Sequence, residues 1–240
     1  MSKKIITYKL ENSVLTITID DGKRNVVSPN MLKQFNLALD EAVNQNAVVI
    51  ITGTGDIFSA GFDLKILKSG LFNALSMVSG GFKLAHRLLS FPTPVIIACN
   101  GHAMAMGAFI LLSGDYRIGV QGDYNITTNE VAIGLVMPKA AIEINRQRLS
   151  PVHFNRATML AEYYSPANAV ESGFMDRIVP YEELMQEARN KAEDYLKLDL
   201  KAHYHTKLRA RKNNLKIIKR GIFTDYFSLI WMGIKRALGM

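Results

Sequence analysis

Cysteine and tryptophan are scarce in this chain of 240 residues, which contains one of each. The single cysteine, Cys99, excludes an intrachain disulfide and any site that needs several thiolates. It ends an apolar run typical of a strand, so we expect a buried structural thiol and not a nucleophile. One unpaired cysteine also favours a reducing compartment, and we predict a cytoplasmic protein.

Long apolar runs are also missing. The longest, Pro94 to Leu112, contains Asn100, Gly101 and His102, which argues against a membrane helix of roughly 20 apolar residues. The N-terminus has no apolar core or cleavage site of a signal peptide, so we expect no export signal. With 48% apolar and 21% charged residues, the composition is that of a folded globular protein.

Acidic residues are nearly absent from the end of the chain. Residues 201–240 contain ten Lys or Arg and one acid, Asp225, which gives this segment a net charge of +9. The net charge of the whole chain is +8, so the other residues together carry about −1. Such a segment indicates either a polyanion, such as nucleic acid or a nucleotide phosphate, or a solvated helical face. The cations are Lys201, Lys207, Arg209, Arg211, Lys212, Lys216, Lys219, Arg220, Lys235 and Arg236.

The order of apolar patterns predicts an α/β fold. Residues 4–10 and 13–20 alternate like a hairpin, Ser28-Pro29 begins a helix, and residues 47–52 form a buried strand. A helical stretch from Leu64 to Leu89 and a strand at 95–99 continue the alternation. Beyond Tyr181 the chain becomes helical and basic. We therefore expect a core over residues 1–190 and a docked helical region over residues 191–240.

Two glycine-containing loops stand out. The segments Ile57-Phe58-Ser59-Ala60-Gly61-Phe62-Asp63-Leu64 and Asn100-Gly101-His102-Ala103-Met104-Ala105-Met106-Gly107-Ala108-Phe109 each lie between a strand-like and a helix-like run. Unpaired backbone N–H groups of such loops can converge on one oxygen atom. The pair predicts an oxyanion hole.

These segments resemble the FxAGxDL and NGxAxGGG motifs of the crotonase superfamily, the enoyl-CoA hydratase and isomerase group. The resemblance implies a spiral of ββα repeats with a C-terminal helical trimerisation region, and a role in fatty acid metabolism. On the family pattern, the oxyanion donors are the N–H groups of Phe62 and Met106. Ala105 and Met106 replace two glycines of the family, and a non-glycine residue fits there without strain only if its φ is negative.

The resemblance also implies one acid/base residue. The segment Asn129-Glu130-Val131-Ala132-Ile133-Gly134-Leu135 nearly reproduces the N-E-x-x-L-G motif of Δ3,Δ2-enoyl-CoA isomerases, and Asp115-Tyr116-Arg117-Ile118 resembles their C-D-Y-R-I motif. Glu130 therefore matches their catalytic glutamate. A carboxylate in an apolar pocket has a raised pKa, which suits proton transfer near neutral pH.

Phe109 is the main departure from the hydratases, which carry a second glutamate at this position. Addition of water requires two carboxylates, whereas moving a double bond from C3 to C2 requires one base. We therefore expect isomerisation of 3-enoyl-CoA to 2-enoyl-CoA. A hydratase or another enolate-forming acyl-CoA enzyme remains an alternative, and so does a non-catalytic crotonase-like protein that binds nucleic acid through its basic tail.

Coenzyme A, as part of the substrate, would explain several residues by family analogy. No separate cofactor and no metal site are expected, since HExxH and CxxC patterns are absent. The assembly implied is a homotrimer or hexamer. Residues 222–240, with Phe227, Ile230 and Trp231, are typical of an amphipathic helix that packs on a partner or on the acyl pocket. The coenzyme A contacts are expected at Lys23, Arg24, Val26, Ala60, Asp63 and Leu64.

Overall fold

The computed structural model describes the backbone of residues 3–237 and the side chains of residues 3–225. It begins with the predicted hairpin, in which β1 (Ile6–Glu11) and β2 (Val14–Ile19) pair antiparallel. The turn residues Asn12 and Ser13 have φ angles of 49° and 61°. Two positive φ angles characterise the type I′ turn that matches the twist of a hairpin.

The rest of the core repeats a unit of two strands and a helical segment. The first strands join the hairpin in a six-stranded sheet of order β1-β2-β3-β5-β7-β9, and the second strands form a three-stranded sheet of order β4-β6-β8. All pairings beyond the hairpin are parallel. The strands are β3 (Val48–Gly53), β4 (Ile57–Ser59), β5 (Val95–Cys99), β6 (His102–Met104), β7 (Tyr116–Val120), β8 (Ile126–Thr127) and β9 (Arg177–Val179).

Helices cover the faces of these sheets. The first starts as predicted, since Ser28 accepts a hydrogen bond from Met31 N–H at 3.2 Å and Pro29 occupies the first turn. The helices are α1 (Pro29–Asn44), α2 (Leu64–Lys68), α3 (Leu71–Leu89), α4 (Met106–Leu112), α5 (Lys139–Arg146), α6 (Pro151–Leu160), α7 (Pro166–Ser172), α8 (Leu184–Leu196), α9 (Leu200–Ala210) and α10 (Lys212–Ala237).

The prediction of one helical stretch from Leu64 to Leu89 was wrong in one respect. Two helices, α2 and α3, meet at Ser69 and Gly70. Gly70 has a φ of 142°, which L side chains rarely adopt. The glycine therefore lets the chain change direction before α3 begins.

The C-terminal helices pack on the core of the same chain. Ile218 of α10 is fully buried, and a Cβ atom at Gly221 would lie 2.8 Å from the Ala140 nitrogen of α5. The expected domain boundary at residue 190 falls inside α8. The side chains of Phe227, Ile230 and Trp231, on which the amphipathic prediction rests, lie outside the described residues.

Two cations of the basic segment fasten these helices internally. The buried Lys207 donates from Nζ to the carbonyl oxygens of Phe91 (2.9 Å) and Thr93 (3.1 Å) and pairs with Asp115 Oδ2 at 2.6 Å. Arg211 pairs with Asp115 Oδ1 at 2.9 Å. These charges are thereby committed to the fold and not to a polyanion. Among the helices described, none has the length and apolar character needed to cross a membrane.

Candidate active site

The three-stranded sheet brings three loops to one edge. Its strands β4, β6 and β8 run parallel, so the residues that follow them emerge on the same side. Phe62 follows β4, Met106 follows β6 in the middle of the sheet, and Glu130 follows β8. The topology thus gathers the two predicted oxyanion donors and the predicted acid/base.

The N–H groups of Phe62 and Met106 have no hydrogen-bond partner among the described residues. Val27 N–H donates to Gly61 O at 2.8 Å and Asp63 N–H donates to Val27 O at 3.0 Å, so the N–H of Phe62, between them, faces away from Val27. Met106 begins α4, where an N–H has no intrahelical acceptor. Both groups are free to donate to a ligand oxygen.

The two loops pack closely against each other. A Cβ atom at Gly61 would lie 2.9 Å from the Ala105 Cβ and 3.3 Å from the Met106 nitrogen, and one at Gly107 would lie 2.3 Å from Ser59 O. Both glycines are therefore needed for the approach of β4 and α4. The same approach brings the Phe62 loop next to the Met106 amide.

Ala105 does not meet the condition for a strain-free fit. Its φ is 49° and its ψ is −122°, in a region that favours glycine. Its carbonyl still accepts from Phe109 N–H at 3.2 Å, and its own N–H donates to Thr127 O at 2.9 Å. These contacts hold a strained backbone directly before the Met106 donor.

Aromatic and small residues fill the space beside the donors. The Phe82 ring lies 6.4 Å from that of Phe62 and 5.6 Å from that of Phe109, which is fully buried. A Cβ atom at Gly81 would lie 2.7 Å from the Phe62 ring and 3.1 Å from the Met106 Sδ. The role of Gly81 was missed, although a Gly-Gly pair within a helix signals close packing.

Glu130 is a buried carboxyl group with few partners. The residue is 8% exposed, and its Oε2 has no hydrogen-bond partner within the described part of the chain. Desolvation raises its pKa from 4.5 to about 7, opposed only by its own backbone N–H. Gly134, with a φ of 77°, closes the 3₁₀ turn that follows. The carboxyl group can thus both accept and return a proton near neutral pH.

The residues predicted to contact coenzyme A lie together along the loop before α1 and the loop after β4. Arg24 O accepts from Ala60 N–H at 3.0 Å, and the side chain of Asp63 caps α2 by accepting from Lys65 N–H at 2.8 Å. Leu64 is exposed, and so are Lys23 and Arg24, neither of which has an ion-pair partner among the described residues. Val26 N–H donates to Asp21 Oδ2 at 2.9 Å.

A wide cleft and a narrow slot lie between α3 and α10. The cleft, of about 1110 Å³, has a basic wall that includes Lys83, Lys219 and Arg220. The slot, of about 20 Å³, is lined by Phe82 and Asp225 among others. Burial raises the pKa of Asp225, whose Oδ2 accepts from Lys139 N–H at 2.8 Å.

His102 and Cys99, the other groups considered at the sequence level, have structural contacts. His102 accepts from Asn125 N–H at 3.0 Å through Nδ1, and its ring meets Tyr124 edge-on. Cys99 is a buried free thiol whose pKa burial raises to about 12. Within the described residues, no group of three or more His, Cys, Asp or Glu side chains is arranged to hold a metal ion.

Comparisons with known proteins bear on the family to which this chain belongs. Residues 9–236 match the model of the enoyl-CoA hydratase/isomerase family. A structure of a family member from Pseudomonas syringae is 44% identical, covers 94% of this chain and 98% of its own, and superimposes with a TM-score of 0.92. A Mycobacterium tuberculosis protein is 43% identical, with coverages of 91% and 96% and a TM-score of 0.88; one structure of it is described as an enoyl-CoA isomerase and another as a probable enoyl-CoA hydratase.

A relative with a different activity is also similar. The carnitinyl-CoA dehydratase of Salmonella enteritidis is 29% identical over 187 residues, which are 75% of this chain and 70% of that enzyme. The similar proteins are thus named as isomerase, as hydratase and as dehydratase. The match over nearly the whole chain, together with the α/β repeats described above, shows that this protein belongs to the enoyl-CoA hydratase/isomerase family and has the crotonase fold.

Proposed function

We propose that this protein isomerises 3-enoyl-CoA to 2-enoyl-CoA. The N–H groups of Phe62 and Met106 donate to the thioester oxygen, and the Glu130 carboxylate removes a proton from C2. The electron pair of the broken C2–H bond forms the C1=C2 bond of a dienolate, and the π pair of the carbonyl moves to the thioester oxygen, which carries the negative charge. Glu130 then returns the proton to C4: the C3=C4 pair forms the new C4–H bond, the C1=C2 pair forms the C2=C3 bond of the product, and a pair on the oxygen restores the carbonyl.

The observation that carries this proposal is the state of Glu130. A carboxyl group with a pKa of about 7 is available in both protonation states at neutral pH. Its Oε2 has no competing hydrogen bond among the described residues. Glu130 follows β8 at the same edge of the three-stranded sheet at which Phe62 and Met106 follow β4 and β6. One such group is sufficient for a proton shuttle.

Phe109 supports isomerisation over hydration. Its ring is fully buried against Phe82, one helical turn after the Met106 donor. A phenyl ring at this place neither holds nor activates water, so the site lacks the second carboxylate that hydration needs from α4.

Separate incubations with 3-enoyl-CoA and 2-enoyl-CoA test the proposal. We expect rapid conversion of the first to the conjugated thioester and negligible formation of a hydroxyacyl-CoA from the second, both followed by mass-resolved chromatography. Rapid hydration of 2-enoyl-CoA would contradict isomerisation as the main activity.

Hydration is the second candidate, and Asp225 is the observation that favours it. This acid lines the slot beside Phe82 and has a raised pKa. It caps α5 by accepting from the backbone N–H groups of Lys139 and Ala140. If hydration is observed, Asp225→Asn should abolish it and spare isomerisation, whereas a hydratase that does not use Asp225 would be unaffected.

The coenzyme A site follows from exposure and charge. Lys23 and Arg24 are exposed cations without acidic partners in the described part of the chain, so they are available to phosphate groups. The neighbouring Ala60, Asp63 and Leu64 present backbone and apolar surface for the adenine, and Val26 lies beside the expected path of the pantetheine. The coenzyme A moiety belongs to the substrate, and no separate cofactor takes part in this scheme.

A homotrimer or hexamer is part of the proposal. Apolar side chains around the loop after Glu130 are exposed, with Val136 at 92% and Leu160 of α6 at 73%. Exposed apolar patches mark surfaces that associate. Light scattering of Val136→Asp against the parent tests this surface, with a loss of assembly expected. We also place the protein in the cytoplasm, because its one cysteine is a free thiol.

A further inference from the structure

A buried polar cluster lies behind the loop that carries Glu130. Asn145 of α5 is fully buried, and its Nδ2 donates to Thr128 Oγ1 and to Thr158 Oγ1, both at 3.1 Å. Burial of an amide side chain is unfavourable unless its polar atoms have partners. A fully buried asparagine that joins two threonines is therefore a strong constraint on the segments that carry them.

The orientation of this amide is fixed by its neighbours. Thr128 Oγ1 donates its proton to Ala157 O at 3.3 Å, so its lone pairs are left to accept from Asn145. The sulfur of Met137 also lies 3.7 Å from Asn145 Nδ2. The nitrogen of the amide thus faces Thr128 and Met137, while Oδ1 has no partner among the described residues.

These contacts join both ends of the Glu130 loop. Thr128 lies two residues before Glu130, directly after β8, and Met137 lies directly before Pro138, which precedes α5. The side chains between them are mostly exposed, including Ile133 at 55% and Val136 at 92%. Within one subunit these exposed side chains contribute little packing, so the buried ends contribute most to the position of the loop.

We infer that Asn145, through Thr128, is a positioning residue that keeps the Glu130 carboxyl group buried at the sheet edge. The inference rests on the proposed function for its catalytic consequence. Its structural part does not: without the clamp, the loop after β8 moves outward, water reaches the carboxyl group and the proton shuttle loses its alignment with the substrate.

Thr128→Val tests the inference, because it keeps the shape of the side chain and removes the hydroxyl that Asn145 binds. We expect kcat to fall at least about tenfold, as for other small misplacements of a catalytic group. KM should change little, since the predicted coenzyme A contacts lie on other loops. The pKa of Glu130, followed by NMR of ¹³C-labelled glutamate and assigned with Glu130→Gln, should fall toward its ordinary value.

Thr158→Val is the matched control, and Thr128→Ser is the rescue. Thr158 binds the same Asn145 nitrogen but lies on α6, so its variant should lose comparable thermal stability and keep kcat and the Glu130 pKa. Thr128→Ser should restore both. Equal kcat and equal Glu130 pKa in Thr128→Val and Thr158→Val would overturn the positioning role. A parent protein without isomerase activity would contradict the proposed function instead, while the NMR titration would still decide the inference.

Discussion

Glu130 combines two properties that rarely occur together, burial and an oxygen atom without a partner. Burial without a partner penalises the charged form, which is why its pKa rises to about 7. The folded protein therefore holds a proton that the unfolded chain releases between pH 4.5 and 7. A residue of this kind reduces stability at neutral and alkaline pH, and function is the physical reason to retain it.

Glu130→Gln should stabilise the protein in a pH-dependent way. Because the folded pKa lies above the unfolded value, the parent loses stability as pH rises from 4.5 to about 7, and the glutamine variant does not. The gain should be absent at pH 4, grow through this window and reach at most about 3 kcal/mol at pH 8. Urea unfolding at several pH values measures it.

The matched control is Glu171→Gln, at an exposed position on α7, which also removes a carboxyl group but not a buried one. A stability difference between Glu130→Gln and the parent that stays constant from pH 4 to pH 8 would show that the carboxyl group is hydrated.

Ala105 is the second residue at which the site is under strain. Its φ of 49° costs roughly 1–3 kcal/mol for a side chain with a Cβ atom. Ala105→Gly should therefore raise the free energy of unfolding by about 1 kcal/mol, after the loss of 0.5–1 kcal/mol from greater chain entropy. Ala108→Gly, in the regular part of α4, should instead destabilise by about 1 kcal/mol. Destabilisation of similar size in both variants would rule out strain at Ala105.

At the scale of elements, the loops that follow β4 and β6 could be predicted from the sequence, whereas Glu130, after β8, was assigned only through the family resemblance. Each short apolar run followed by a glycine-containing loop could be recognised locally, as in Ser59 to Gly61. Parallel pairing then places the loop ends at one edge. The break at Gly70 was missed because the apolar period of α2 and α3 continues across it, and only the φ of 142° distinguishes it.

The attachment of α9 depends on a buried ion pair. Lys207→Met removes one of the two cationic partners of Asp115 and the donor to two carbonyl oxygens. It should cost about 3 kcal/mol, at the lower end of the range for a broken buried pair, because Arg211 still pairs with Asp115. Lys201→Met, at an exposed position of the same helix, should change stability by less than about 0.5 kcal/mol. Calorimetry of the two variants compares them, and equal melting temperatures would show that the pair contributes nothing to docking.

At the scale of the whole molecule, the sequence could not separate the cations of the basic C-terminal segment that stabilise the fold from those that line a cleft. The charge of this segment was read as one feature, yet Lys207 and Arg211 are used inside the fold whereas Lys216, Lys219 and Arg220 line the cleft beside α3. The partners of Lys207 and Arg211 lie about a hundred residues away from them along the chain. Contacts such as Asn145 with Thr128 likewise carry no local pattern, so only the folded chain reveals them.

In the proposed mechanism, the Glu130 carboxyl group moves one proton from C2 to C4 on one face of the bound thioester. Isomerisation of 3-enoyl-CoA deuterated at C2, with mass analysis of the product, tests this most directly. We predict deuterium at C4 of the product with the parent protein, and a loss of both turnover and transfer with Glu130→Gln, although that variant still binds the thioester. Product formation by Glu130→Gln at the rate of the parent would contradict the account.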